Sequence, residues 1–147
     1  MAETPPLRVV FDAHAITAER SGIGEYSAFL CAALIEECGE RLELSLYGRG
    51  RCARVRSAGE IEEFCAGMPE GSLYAAAHQL EIPRLLNSGQ TDLFHAPDFF
   101  APWMLRRVPM VATIHDVVAL AHPEMLGRSK KAKFPACLLY TSDAADE

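Results

Sequence analysis

The sequence predicts an α/β domain with a largely parallel sheet flanked by helices. Three observations predict it. Short continuous apolar runs such as VVF, residues 9–11, have the content of strands buried on both faces. Between such runs lie segments whose apolar residues recur at helical spacing, so strands and helices alternate. The chemically versatile residues then fall just after the strands, where ligands bind in sheets of this kind.

LRVVFDA is the first strand, and HAITAERSG follows it as a loop. From Gly24 the apolar residues Tyr26, Phe29, Leu30, Ala33 and Leu34 recur at helical spacing, with Glu25 and Glu36 on other faces, until Gly39 stops the helix. LELSLYG, residues 42–48, is a second strand ended by GRGR. EIEEFCAG fits either a short helix or a loop-bound strand. SLYAAAHQLEIPRLLNSG is rich in alanine and leucine and predicts a helix, with Pro83 either kinking it or starting a second short one. TDLFHAPD gives a strand running into His95, and VPMVATIHD another running into His115 and Asp116. Pro97, Pro102 and Pro109 prevent one long helix between them, and GRSKKAKF opens a further, basic helix. There is no internal repeat, low-complexity tract or domain linker.

At 147 residues, 50% hydrophobic and 23% charged, the chain has the composition of one soluble globular domain with room for a core. No apolar run approaches the length of a bilayer span, and MAETPPL lacks the regions of a signal peptide, so the expected location is cytoplasmic. Cys31, Cys38, Cys52, Cys65 and Cys137 form no CxxC pair and no zinc-finger spacing, and read as reduced thiols. Cys31 and Cys38 lie two helical turns apart and are expected to pack as small apolar groups on one face. The last eleven residues, CLLYTSDAADE, match a translated frame of a transposon-end sequencing adapter, so residues 137–147 read as a non-native tail and residues 1–136 as the domain. Without that tail, which holds three acids and no base, the formal charge of −6 becomes −3. Such mild acidity argues against nucleic acid as a partner, which would call for a basic patch.

The segment SGIGEYSAFL places Gly22 and Gly24 just before an apolar helical run. Glycine permits close approach of another group, and the amides of a helix's first turn can hold an anion, so a phosphate is the first suspect. A dinucleotide fingerprint would place GxGxxG directly after the first strand, with an acid about twenty positions later. Here the glycines come after a longer loop, the third glycine position is Ser27, and the second strand ends LYGRG without an acid. A flap-like loop could still present amides to a phosphate, although Glu25 would repel it unless turned away. The plain alternative is a turn before a helix.

Asp12 and His14 follow the first strand, His95 and Asp98 a later one, and His115 and Asp116 the last. A histidine at a strand end can donate to a sugar hydroxyl, a phosphate or a backbone carbonyl. One reading of these residues is a polar clamp on a substrate. Another is a metal site of His95, Asp98, His115 and Asp116, for which no HxH or HExxH pair speaks. A third is simple capping of strand carbonyls. His14 and His122 fall in loops and His78 on a helix, and only His14 is near the suspected cleft.

Taken together, RVVFDAHAITAERSGIGEYSAFLCAALIE and TDLFHAPDFFAPWMLRRVPMVATIHDVVALAHPEML resemble the amino-terminal half of a family 4 glycosyltransferase of the GT-B type. The resemblance covers nearly all of the chain to Ala136. It is most specific in the loop leading to SGIGEY, the strand LFHAPD and the segment VATIHDVVALAHPE. It implies two Rossmann-like domains across a cleft, of which residues 1–136 are an incomplete amino-terminal one. It also implies a nucleotide-sugar donor, a glycan, lipid-linked or small-molecule acceptor, and retaining transfer without a required metal or other cofactor. By position, Gly22 and Gly24 match the loop that approaches the donor diphosphate, and His115 matches the histidine that contacts the transferred sugar or reacting centre. Asp12, His95, Asp98 and Asp116 fall on the acceptor or sugar side.

Two departures stand out. Glu25 occupies a place where many members carry arginine. The carboxyl-terminal domain, with its basic pair and Glu-x7-Glu motif, is absent, so the resemblance implies that this chain alone has negligible transferase activity and an exposed sheet edge. Arg128, Lys130, Lys131 and Lys133 form a basic run whose ordinary reading is a solvated helix face; in this family such a run can also rest on an anionic membrane surface. From another class comes the alternative of a stand-alone nucleotide- or phosphometabolite-binding regulatory module. A His/Asp metallohydrolase ranks third.

Overall fold

The computed structural model describes residues 4–17, 21–68, 76–86, 91–98, 102, 105, 107–122 and 124. Among them five strands, β1 (Leu7–Asp12), β2 (Leu42–Gly48), β3 (Arg51–Val55), β4 (Leu93–Ala96) and β5 (Met110–Ala112), form one sheet in the order β3-β2-β1-β4-β5. β1 pairs in parallel with both β2 and β4, β4 pairs in parallel with β5, and only β3 runs antiparallel. The four described α-helices are α1 (Gly22–Cys38), α2 (Ala58–Ala66), α3 (Ala76–Leu86) and the single turn α4 (Val118–Ala121), with a short 3-10 turn (Gly39–Arg41) following α1. This is a mixed α/β, Rossmann-like fold with a mostly parallel sheet.

Alternation along β1 explains the two cores. Val9 and Phe11 join Leu44, Leu46, Ala28, Cys31, Ile61 and Phe64 on the face covered by α1 and α2. Val10 points the other way and joins Phe94, Ile82, Leu86, Leu105 and Val108 under α3. A strand covered on both faces carries a continuous apolar run, which is why VVF is legible as one.

Each end of α1 has a local cause. Ser21 caps its start, with Oγ accepting the Gly24 amide at 3.3 Å, and Gly39 with φ 52° ends it. Its buried residues are Gly24, Ser27, Ala28 and Cys31, whereas Phe29 is 70% exposed. The stripe of large residues picked out by sequence periodicity is therefore not the face that meets the sheet. Small side chains let the helix axis approach the strands, and Leu30 and Ile35 pack at its flanks. Cys31 is buried as expected, and Cys38 is only partly so.

Four further details depart from the sequence reading or resolve it. GRGR does not simply end β2: Arg49 at φ 49° and Gly50 at φ 79° make a tight two-residue turn into β3, with Gly48 opposite Arg51. EIEEFCAG is a helix, α2, capped by Ser57 and by Glu60, whose carboxylate accepts the Arg56 amide at 2.9 Å. Pro83 lies inside α3 rather than at the start of a second helix. β5 ends at Ala112, three residues short of His115. The basic run at 128–133 and the tail at 137–147 lie outside the described residues.

β1 has β2 on one side and β4 on the other, so the direction of strand addition reverses between β1 and β4. The crevice beyond the carboxyl ends of these two strands is the place where such a sheet binds ligands.

Candidate functional site at the carboxyl edge of the sheet

Asp12 ends β1 and folds back on its own loop. Its Oδ1 accepts the backbone N–H of His14 at 3.1 Å and contacts His14 Nδ1 at 2.6 Å. On the ring's other side, Nε2 lies 3.2 Å from Oδ2 of Asp98, in the loop after β4. That second contact is at ion-pair distance between a buried carboxylate and a buried imidazole. All three residues are buried. Burial alone would lower the His14 imidazole, but the charge and hydrogen bond of Asp12, and then those of Asp98, outweigh it and raise it to about 10.

A second polar group lies around Thr113, whose amide extends the β4–β5 ladder by donating to the Ala96 carbonyl at 2.9 Å. Its Oγ1 is 3.2 Å from His95 Nε2 and 3.2 Å from the Tyr26 hydroxyl. His95 packs its ring against Phe11, with centroids 4.8 Å apart, and burial lowers its pKa, favouring the neutral ring.

His115 is exposed, with one nitrogen committed. Nε2 is 2.8 Å from the carbonyl oxygen of Pro97, and because a carbonyl can only accept, Nε2 carries the proton. In the neutral ring Nδ1 is then the acceptor. The ring packs nearly perpendicular to that of Tyr26, with centroids 4.8 Å apart and planes at 86°.

Gly22 and Gly24 differ in their surroundings. An added Cβ at Gly22 would meet nothing within 4 Å, while one at Gly24 would stand 2.5 Å from the Ala15 carbonyl oxygen. The Gly24 amide is already engaged by Ser21 Oγ, and that of Glu25 donates to the Ser21 carbonyl at 2.9 Å. What passes close to the glycine backbone within the chain is thus the β1 loop, at Gly24.

Of the sequence-selected residues, Asp12 and Asp98 meet through His14, and His95 and His115 approach α1 through Thr113 and Tyr26. Asp116 is turned to its own backbone, its Oδ1 accepting the Val118 amide at 3.0 Å. Sequence reasoning gave no role to Tyr26, Thr113 or the Pro97 carbonyl. The available signal was a hydroxyl at a strand's carboxyl end in VATIHD and another near the start of the helix, just after SGIGE. Among the described residues no group of three or more His, Cys, Asp or Glu is arranged to hold a metal ion, and no helix is long and apolar enough to cross a membrane.

Comparison of the chain with protein-family models, curated proteins and solved structures found no match.

Proposed function

We propose that the chain is part of the amino-terminal domain of a retaining, metal-independent glycosyltransferase that uses a nucleotide-sugar donor at the cytoplasmic side of the cell. The observation that carries this reading is the edge-on contact of Tyr26 with His115. It joins the two segments, SGIGEY and VATIHD, on which the resemblance chiefly rests, at the end of the sheet where ligands bind.

In this reading His115 offers Nδ1 to a sugar hydroxyl while the Pro97 carbonyl holds the ring through Nε2. The first-turn amides of Gly22 and Ile23 point a partial positive charge at the donor diphosphate and stabilise the charge that grows as the bond to the sugar breaks. Glu25 opposes that charge unless a base from the second domain pairs with it. His95 lies toward the acceptor, and Asp12 and Asp98 support that side. The second domain supplies the main contacts to the nucleotide.

The test is to express the source gene read from unfragmented DNA beyond codon 136 and assay its product on a panel of nucleotide sugars with glycan and lipid-linked acceptors. Retaining transfer by that product, lost in His115→Ala and absent from the 147-residue chain, is the expected result. Tight nucleotide binding by the 147-residue chain, with no transfer by the longer product, would instead favour a stand-alone regulatory module.

A further inference from the structure

One buried imidazole joins the loops that follow β1 and β4. His14 is 2% exposed, and it lies between Asp12 Oδ1 at 2.6 Å and Asp98 Oδ2 at 3.2 Å. Two carboxylates this close to one ring, in a place closed to water, favour its charged form.

The sequence neighbours of this group reach both sides of the cleft. Ala15, next after His14, presents the carbonyl against which α1 begins at Gly24. Pro97, next before Asp98, presents the carbonyl that takes Nε2 of His115 at 2.8 Å. The ring therefore joins the two chain segments whose carbonyls meet the helix start and the exposed histidine.

We propose that His14 is a positioning residue: a buried cationic tie that sets the Ala15 and Pro97 carbonyls relative to each other, and so places both the start of α1 and the His115 ring. Asp12 and Asp98 then act through the imidazole rather than by touching a ligand. Among the described residues, the groups at this tie include Asp12 at the end of β1, Asp98 after β4 and, beside Asp12, Tyr47 of β2, whose hydroxyl donates to Glu81 at 3.0 Å. Burial is outweighed by the charge and hydrogen bonds of the two aspartates, which raise the ring to about 10, in agreement with a cation at this place. The inference does not rest on the transferase reading, because it concerns where groups stand and not what they bind.

Long-range proton–nitrogen NMR of the imidazoles in the whole labelled chain tests it, with the His14 signals assigned from their absence in His14→Gln. His14 should keep both ring protons at about pH 8, where the unperturbed imidazole is neutral. His115 should show the Nε2–H form, and Asp98→Asn should move it toward a mixture of tautomers. Asp92→Asn is the control, because it cuts the Arg8–Asp92 ion pair at the opposite end of β1 and should leave His115 unchanged. Should Asp98→Asn fail to fold, Asp12→Asn is read in the same way. A neutral His14 ring at about pH 8 in the unaltered chain overturns the proposal, whatever the variants do. So does a folded variant of either aspartate in which the His115 signals are those of the parent.

Discussion

The carbonyl oxygen of Ala15 fills the space that a side chain on Gly24 would need, 2.5 Å from an added Cβ. Both groups are backbone-anchored, so neither can rotate away. Gly24→Ala should therefore destabilise the chain by about 1–3 kcal/mol through overpacking, offset in part by the better helix propensity of alanine. Gly22→Ala, which meets nothing within 4 Å, should be neutral or slightly stabilising. Urea unfolding of the two variants separates these roles, and equal midpoints would refute the packing account. If Gly22→Ala leaves stability intact yet abolishes transfer in the longer gene product, its need for glycine comes from the ligand.

His14 and His95 should respond to pH in opposite directions. The folded-state value of His14 is raised from 6.5 to about 10, so its contribution is complete below pH 6.5 and is lost as the pH rises through about 10. For His95 burial lowers the value from 6.5, so its contribution is present above pH 6.5 and is lost as the pH falls through the folded value. Measured against His14→Gln, the parent chain should hold its largest stability advantage near about pH 6 and lose it toward about pH 10. Measured against His95→Gln, it should lose ground on acidification below pH 6.5. A His14 advantage that stays flat across the alkaline range would contradict the buried imidazolium.

Legibility from sequence followed burial. β1 is legible because Val9, Val10 and Phe11 are buried on both faces, and α1 because its apolar residues recur at helical spacing up to Gly39, although it begins at Gly22, capped by Ser21, two residues before the Gly24 read from the sequence. β3 is not, since only Val55 of its five residues is buried and its turn is Arg-Gly rather than the Asn-Gly that announces a hairpin. The site divides in the same way. Asp12 and His14, two positions apart, could be paired on paper, but Asp98 joins them only through the parallel pairing of β1 with β4. Tyr26 counted as one more apolar residue of a helix until its hydroxyl met Thr113.

The sheet-facing side of α1 gives a third prediction. Ala28 is buried against the core while Phe29, the next residue, is 70% exposed. Phe29→Ser should change stability by no more than about 0.5 kcal/mol, and Ala28→Leu should cost about 1–3 kcal/mol because the helix cannot move off the strands. Thermal melts of the two variants compare them directly. A loss in Phe29→Ser as large as that in Ala28→Leu would mean that the larger residues form the packed face after all.

Thr113 is the point at which the helix and the strand ends communicate, and a double-mutant cycle can measure that link. Its single hydroxyl serves both Tyr26 and His95, each at 3.2 Å. Thr113→Val keeps the shape and removes the hydroxyl, and Tyr26→Phe keeps the ring against His115 while removing only the phenolic oxygen. Each should cost about 1 kcal/mol per lost hydrogen bond, with Thr113→Val the larger because two partners lose it. The double variant should lose less than the sum, by about the worth of the shared Tyr26–Thr113 bond. Full additivity in urea unfolding at about pH 8, where His95 is neutral, would show the two hydroxyls to be independent. Tyr26→Ala also removes the ring contact, so in the longer gene product it should impair transfer more than Tyr26→Phe, since it removes the ring that packs against His115.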